Sequence, residues 1–379
     1  MQLATPPPFP ASWPSREPQD VGVDGGRLQR LVDFALAHAS HPYRGDAPDR
    51  VKEEVLRRVL GREADVRIIG PLTRPGSVNG LVVRHGYLVA EFGDTSYADE
   101  IASATKSFLS MLGGIAVDEG LIESVHNSVF DDTGLDLLAD DHNRRIAWHH
   151  LLQQTSEWDG ELFGKRPTGH RGERIGEAPH EPGTYWEYND VRVNLLARAL
   201  LEAFRRPLPA VLADRVMRPI GASTTWEWHG YSTSRVIVDD QLVESVSGGA
   251  HWGGGVWMNS QDLARVGLLY LRDGVWGDRR LLSSRWIERT RTPCDLNPMY
   301  GYMWWLQHDG DGRQVSFAAQ GGGSHQCFVI PDHDLVIAVK WIADDAWMEF
   351  LNLALDIVTD RPALGPVRYM FDRINRQAG

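Results

Sequence analysis

Apolar residues spaced three and four apart predict the helices of this chain. In the clearest case, residues 103–119, Phe108, Met111, Leu112 and Ile115 fall on one helical face, and Gly120 stands where a helix commonly ends. The same spacing predicts further helices over 25–39, 49–60, 149–154, 191–204, 208–217, 260–272 and 346–359.

Short apolar runs bounded by turn residues predict the strands. Residues 78–93 contain two such runs on either side of His85-Gly86, which is typical of a β-hairpin. The last third of the chain adds runs whose short links favour antiparallel neighbours, at 300–306, 315–319, 326–330 and 335–341. We therefore predict an α+β fold in which the hairpin and the late strands share one antiparallel sheet flanked by helices.

The pattern also divides the chain into segments. Residues 1–20 are rich in proline and serine and are predicted to form an extended arm. Residues 21–124 and 250–379 are assigned to the sheet domain, and 125–249 to an inserted helical lobe. Inside the lobe, the glycine- and charge-rich stretch 157–182 is long for a loop, which is typical of a lid or a binding loop.

Composition narrows the possible partners. The 379 residues include 39 basic and 51 acidic side chains, and the net charge of -12 disfavours binding to nucleic acid. Because the chain has neither a long apolar run nor the features of a secretory signal, we expect a cytoplasmic protein without a membrane segment. The sequence does not indicate the oligomeric state.

Metal or cofactor binding is not expected. Cys294 and Cys327 are the only cysteines, too few for a metal cluster or a disulfide framework. Three histidines, His149, His150 and His251, could suggest a metal site. Because no further ligand stands at the spacing of a zinc site, we expect core or surface roles for them.

Ser103 and Lys106 are the first candidates for chemistry. Residues three apart share a helical face, so the serine hydroxyl and the lysine amine can meet. A serine is a weak nucleophile until a base takes its proton, and a lysine amine can do so when burial and its neighbours lower its pKa. The neighbours Ile101, Ala104 and Phe108 are apolar or small, and the chain has only four lysines. The alternative is a surface serine and lysine that are three apart by chance.

A second candidate lies in residues 182–190, where a turn and an aromatic-rich segment precede a helix. Tyr188 can be a general base if its phenol is held near a lysine ammonium, and Asp190 is placed to cap the helix. Tyr185, Trp186 and Asp190 are candidates for substrate contact. The alternative is a helix cap with core aromatic residues.

A third candidate is Gly321-Gly322-Gly323, at the end of a late strand. Glycines there allow a substrate to lie against the strand edge, and backbone N–H groups can face a reacting oxygen. Gly321 and Gly323 are therefore candidates for substrate contact. An ordinary hairpin turn is the alternative.

In order along the chain, these three motifs resemble the serine hydrolases of the β-lactamase and penicillin-binding-protein superfamily. The class C-like branch, with its esterases and 6-aminohexanoate-oligomer hydrolases, is the more similar. The resemblance runs from about residue 80 to residue 341, and it includes the stretches 103–120, 151–156, 182–196 and 253–265.

The resemblance implies an antiparallel sheet, a helical lobe and a site in the cleft between them. It implies that Ser103 is acylated, that Lys106 exchanges its proton, and that Tyr188 is the base that later activates water. The N–H groups of Ser103 and Gly322 would form the oxyanion hole.

Three positions depart from the family pattern. Asp190 stands where an asparagine usually contacts substrate, and an ionised carboxylate only accepts hydrogen bonds. Ala319 replaces the lysine that holds a penicillin carboxylate in true β-lactamases, and Glu157 replaces the glycine of a Thr-Ser-Gly stretch.

We therefore expect a serine hydrolase that cleaves a small ester or amide through an acyl-enzyme at Ser103, with no cofactor or metal. A β-lactamase or D-Ala-D-Ala peptidase is the alternative among enzymes, and the missing lysine and signal disfavour it. A catalytically silent binding protein on the same fold is the alternative of another class. The presence of Ser103, Lys106 and Tyr188 together argues against it.

Overall fold

The computed structural model describes residues 4–8, 12–40, 69–71, 73–167, 174, 177–249 and 254–368. The helix predicted over 49–60 and the histidine at position 251 lie outside these residues.

A six-stranded antiparallel sheet forms the centre of the fold. Its members are β1 (Asn79–Arg84), β2 (Tyr87–Phe92), β9 (Trp305–His308), β10 (Gln314–Gly321), β11 (His325–Ile330) and β12 (Leu335–Lys340). The strand order is β2-β1-β12-β11-β10-β9, so the predicted hairpin and the late strands do share one sheet.

The turn residues explain where these strands begin and end. His85 and Gly86 have φ of 53° and 81°, the left-handed values that a tight two-residue hairpin turn requires. The strand predicted from residue 300 begins instead at Trp305, because the chain turns through Met303 at a φ of 60°.

Helices α1 (Gly25–Ala37) and α9 (Trp347–Asp356) pack on one face of this sheet, and α2 (Thr105–Asp118) and α7 (Ser260–Leu271) pack on the other. The other described helices are α3 (Val129–Thr133), α4 (Trp148–Leu152), α5 (Asp190–Phe204), α6 (Leu208–Leu212) and α8 (Ser284–Thr290). Every residue of β1, β11 and β12 is buried, as expected for strands covered on both sides.

Alternate residues of each strand enter two different cores. Val82 and Ile337 pack in the core that contains Leu31 of α1 and Phe350 of α9. Leu81 packs in the larger core, which continues through α2 and α7 into the helical lobe. The predicted α+β class, with an antiparallel sheet flanked by helices, is therefore confirmed.

Four strands that the sequence did not predict form a second sheet. They are β3 (Asp99–Glu100), β4 (Glu227–Val238), β5 (Gln241–Val246) and β6 (Gly255–Met258), in the order β3-β6-β4-β5. A small hairpin adds β7 (Val275–Trp276) and β8 (Arg279–Arg280). Strands β4 and β5 lie within the residues assigned to the helical lobe, whose boundaries remain a prediction.

Residues 14–16 of the N-terminal arm lie along the outer edge of β2. The backbone N–H of Arg16 donates to the carbonyl of Leu88 at 3.1 Å, and the N–H of Leu88 donates to Pro14 at 2.8 Å. Nearer the start, Ala4 donates to the carbonyl of His85 at 3.0 Å. The arm thus occupies hydrogen-bonding groups that would otherwise face outward from the sheet.

Among the described residues, no helix combines the length and the apolar composition that crossing a membrane requires.

Candidate active site

Ser103 lies in a single 3-10 turn, Ala102–Ala104, immediately before α2. Two hydrogen bonds fix this turn against β6: Ile101 N–H donates to Val256 O at 2.8 Å, and Val256 N–H donates to Thr105 Oγ1 at 3.0 Å. Ala102 has a φ of 46°, an uncommon value for a residue with a side chain. Such backbone strain is often found at functional sites.

Lys106 lies one turn after Ser103 and only 1% of its surface is exposed. Its Nζ donates to Ser103 Oγ at 2.8 Å and to the carbonyl of Gly248 at 3.4 Å. The same atom lies 2.9 Å from Asp190 Oδ1 and 4.8 Å above the centre of the Tyr188 ring. An ammonium has three N–H donors, so this environment satisfies a buried cation with a counter-ion, two neutral oxygens and an aromatic face.

Gly248 and Gly249 form the wall behind Lys106, and the sequence analysis did not select them. A Cβ on Gly248 would lie 2.2 Å from Val193 Cγ1, and one on Gly249 would lie 2.0 Å from the carbonyl oxygen of Ala102. Only glycine therefore fits this close to α5 and to the Ser103 turn. A Gly-Gly pair after a strand was the signal that could have identified them.

The segment before α5 brings Tyr188 and Asp190 to Lys106. Asn189, rather than the predicted Asp190, caps the helix, because its Oδ1 accepts from the N–H groups of Val191 and Arg192. Asp190 is the first helical residue, and its carboxylate faces Lys106. The site therefore joins Ser103, Lys106, Tyr188 and Asp190, which lie up to 87 positions apart in the sequence.

Four aromatic rings lie together beside Lys106. Tyr188, Trp186, Tyr300 and Trp305 are all within 4.9–6.4 Å of one another between ring centres. Burial, and then the nearby phenol of Tyr188, hold the pKa of Tyr300 well above its usual range, so this ring stays a neutral phenol. Trp186 was predicted to contact substrate, whereas Tyr300 and Trp305 were not selected from the sequence.

The predicted glycine motif lies partly at the site. A Cβ on Gly321 would lie 2.1 Å from Ile101 O and 3.1 Å from Ser103 N, so the end of β10 packs directly against the Ser103 turn. At Gly322 the nearest such contact is Ala102 Cβ, at 4.0 Å. Gly323 has a φ of 76° in the turn between β10 and β11, beside Trp341 rather than the serine.

Glu157 organises the described part of the long loop. Its carboxylate is fully buried, with Oε1 2.6 Å from Arg192 Nη1 and Oε2 2.9 Å from Arg174 Nη1. The N–H of His180 also donates to Oε2 at 2.9 Å. Tyr185 belongs to this network rather than to the Lys106 cluster, because its ring lies under Arg174 and stacks on His180.

Burial alone would raise the pKa of Glu157. The Arg192 charge and the hydrogen bonds from His180 and Arg174 more than offset this effect, and the net pKa lies below its ordinary value. Glu157 has a φ of 49°, so a side chain occupies backbone geometry that favours glycine. A buried network of paired charges therefore holds the described part of the loop against α5.

His149 and His150 pack with His126 in a row of rings, with centres 5.1 and 4.5 Å apart. Burial, together with these neighbouring rings, lowers the pKa of His150 to about 4, so the ring is neutral near pH 7. Within the part of the chain that the structure describes, no group of three or more ligating side chains could hold a metal ion.

Comparisons with known proteins agree with the fold described above. The family model described as Beta-lactamase matches residues 94–341. No curated protein sequence matches the chain.

Solved structures with a similar fold include a "Putative 6-aminohexanoate-dimer hydrolase" from Bacillus anthracis, with a TM-score of 0.57 and 15% identity over 94% of this chain and 89% of that one. The D-stereospecific amidohydrolase from Streptomyces sp. has a TM-score of 0.52 and 16% identity over 78% and 94% of the two chains. EstCE1, a hydrolase with promiscuous acyltransferase activity, has a TM-score of 0.55 and 15% identity over 83% of this chain and 100% of that one. At these identities the likeness concerns the fold, while the family match covers more than half of the sequence. The chain belongs to the beta-lactamase family.

Proposed function

We propose that this chain is a serine hydrolase that cleaves a small ester or amide through an acyl-enzyme at Ser103. The observation that carries the proposal is the 2.8 Å contact between Lys106 Nζ and Ser103 Oγ, at the edge of a buried cluster with Tyr188 and Asp190. Acyl transfer needs a nucleophile beside a proton acceptor that a third group orients, and in this proposal the acceptor is the Lys106–Tyr188 pair with the phenol of Tyr188 ionised beside the Lys106 ammonium.

In the proposed first step, Ser103 Oγ attacks the carbonyl carbon of the substrate. The serine proton passes to the Lys106–Tyr188 pair and from there to the leaving alcohol or amine, as the bond to the carbonyl carbon breaks. The N–H groups of Ser103 and Gly322 are proposed to stabilise the oxyanion, and the contact of Gly321 with the serine turn supports this placement.

In the second step, water attacks the acyl-enzyme carbon while Tyr188 accepts a proton, and Ser103 Oγ recovers its hydrogen as the acid leaves. Asp190 is proposed to hold Lys106 in place through their ion pair. Its contact with substrate, expected from the sequence, remains a prediction.

The proposed substrate is neutral near the scissile bond. The rings of Trp186, Tyr188 and Trp305 supply an apolar surface, and Asp190 adds a negative charge that Lys106 balances. Similarity of fold to an amidohydrolase and to a hydrolase with acyltransferase activity is consistent with ester or amide cleavage.

The test is covalent labelling combined with turnover. A fluorophosphonate probe should add once to the intact protein, with the adduct on Ser103, and p-nitrophenyl acetate should be hydrolysed. Ser103→Ala should lose both the adduct and the turnover. Ser107→Ala is the matched control, because that hydroxyl lies in the first turn of α2, one turn after Ser103, but donates to Met303 O at 2.9 Å.

Labelling that persists in Ser103→Ala would refute the assignment of the nucleophile. Faster turnover of a chromogenic cephalosporin than of the acetate ester would instead favour a β-lactamase, despite Ala319 in place of a lysine.

A further inference from the structure

Strand β9 covers much of the open edge of β10 beside the serine. On one side of β10, the residues from Phe317 to Gly321 pair with β11. On the other side, β9 pairs with β10 as far as Ala318, which lies opposite Trp305. At the end of β10 that lies beside the serine, the described stretch 319–321 has no partner in β9.

The length of this open stretch limits what can bind there. Gly321 lies against the Ser103 turn, and Ala318 is three residues back along the strand. At about 3.3 Å per residue, the distance from the serine turn to the end of β9 is therefore about 10 Å. A peptide that binds by strand addition needs a longer run of unpaired backbone groups.

Aromatic side chains line the same region. The Trp305 ring lies 5.5 Å from the Tyr188 ring, and Tyr188 in turn lies under Lys106. Trp186 contacts both Trp305 and Tyr188, while buried Tyr300 packs against all three rings. The surface from the lysine to the start of β9 is thus continuous and aromatic.

We propose that the acyl half of the substrate is one compact apolar or aromatic unit that binds against Trp305 and Trp186. Trp305 and the strand that it begins exclude longer, peptide-like acyl chains. This inference rests on the proposed function, because it takes Ser103 as the residue that is acylated.

The test compares three p-nitrophenyl esters that share one leaving group: the acetate, the phenylacetate and the ester of N-acetyl-Ala-Ala. The wild type should prefer phenylacetate and should turn over the dipeptidyl ester at least roughly 10-fold more slowly than acetate. In Trp305→Ala, kcat/KM for phenylacetate should fall roughly 10-fold, chiefly through KM, because an aromatic contact is lost. The ratio of phenylacetate to acetate turnover should therefore fall, because acetate has no ring to contact Trp305, and the ratio of dipeptidyl ester to acetate turnover should rise.

Trp305→Phe keeps a ring and should keep the preference for phenylacetate, which separates recognition from a general loss of packing. Trp226→Ala is the matched control, since Trp226 precedes β4 in the other sheet and should leave the three ratios unchanged.

Acetate turnover reports on the proposed function, while the ratios among the esters report on this inference. Efficient dipeptidyl turnover by the wild type, or ratios that neither Trp305 variant alters, would overturn the inference and leave the serine mechanism standing. Absence of acetate turnover and of Ser103 labelling would instead overturn the proposed function, and the inference with it.

Discussion

Glu157→Gln tests whether the buried charge network stabilises the fold. Glutamine has nearly the same shape, but it removes the negative charge between Arg192 and Arg174. Arg192 would keep Glu187, at 2.7 Å, and Arg174 would keep Glu177, at 3.2 Å. The substitution therefore leaves the positive charges of the two guanidinium groups less well balanced by nearby carboxylates, and it opens no cavity.

The expected loss in the free energy of unfolding follows from the burial of the Glu157 carboxylate. Removing one partner of a buried ion pair costs about 3–5 kcal/mol, and a hydrogen bond to a charged group contributes about 1.5–3 kcal/mol. Because Glu187 remains and the Arg174 side chain is 13% exposed, we expect a loss of about 2–4 kcal/mol in the free energy of unfolding. That loss corresponds to a fall of about 5–10 °C in the melting temperature for a chain of this size.

The pH dependence has a definite sign. Since the folded pKa of Glu157 lies below its ordinary value of 4.5, the unfolded carboxyl takes up a proton first as the pH falls. The stabilisation that ionised Glu157 provides is fully present above the pKa of the unfolded carboxyl. It is lost as the pH falls through the pKa of the folded carboxyl. The difference between wild type and Glu157→Gln should therefore be largest at pH 7 and shrink below about pH 4.5.

Urea unfolding at pH 7 and at pH 4 measures both the loss in the free energy of unfolding and its dependence on pH. Glu161→Gln is the matched control: it lies in the same loop and pairs with Arg166 at 3.3 Å, but both side chains are more than half exposed. A surface pair of this kind contributes at most about 1 kcal/mol. Equal effects of the two substitutions, or no effect of Glu157→Gln, would refute the argument.

Three further predictions concern the catalytic cluster and its surroundings. Lys106→Ala and Tyr188→Phe should each lower ester kcat/KM by roughly 10²–10⁴-fold, and the double variant by little more; near-native turnover in a folded Tyr188→Phe would place the base elsewhere. Asp190→Asn removes the counter-ion of Lys106 and should lower ester kcat/KM by about 10–100-fold, while the ratio of cephalosporin to ester turnover rises; an unchanged ratio contradicts the charge argument. Because the folded His150 takes up a proton only near pH 4 and an unfolded histidine does so near 6.5, the wild type should lose stability between these values. In urea unfolding, the free energy of unfolding of His150→Gln should fall less over the same pH range. Equal losses in the two proteins would contradict the lowered pKa of His150.

Local patterns predicted a large part of this fold. The His85-Gly86 hairpin, α2 and the late strands rest on turn chemistry and on periodicity within about 20 residues. The proximity of Ser103 to Lys106 follows in the same way from their spacing of three.

The second sheet was not predicted because its signals are weak or non-local. The hairpin between β4 and β5 turns through Asp239 and Asp240, with φ of 49° and 60°, where a sequence signal would normally include glycine. Strand β4 also mixes buried and exposed positions without a regular alternation.

The same limit applies at the site. The ion pair of Lys106 with Asp190 joins residues 84 positions apart, and the position of Trp305 depends on how β9 pairs with β10. Neither contact has a signature in the neighbouring sequence, because tertiary packing alone brings these groups together.

The arm that lies along β2 has a consequence for how the molecules behave in concentrated solution. An uncovered outer strand presents a row of unpaired N–H and C=O groups, on which a second molecule can add its own strand. By bonding to Leu88 from both sides of Ser15, the arm occupies part of that row. Shortening the chain past Arg16 would therefore create a template for aggregation far from the serine, and the damage would first be seen as precipitation rather than as lost turnover.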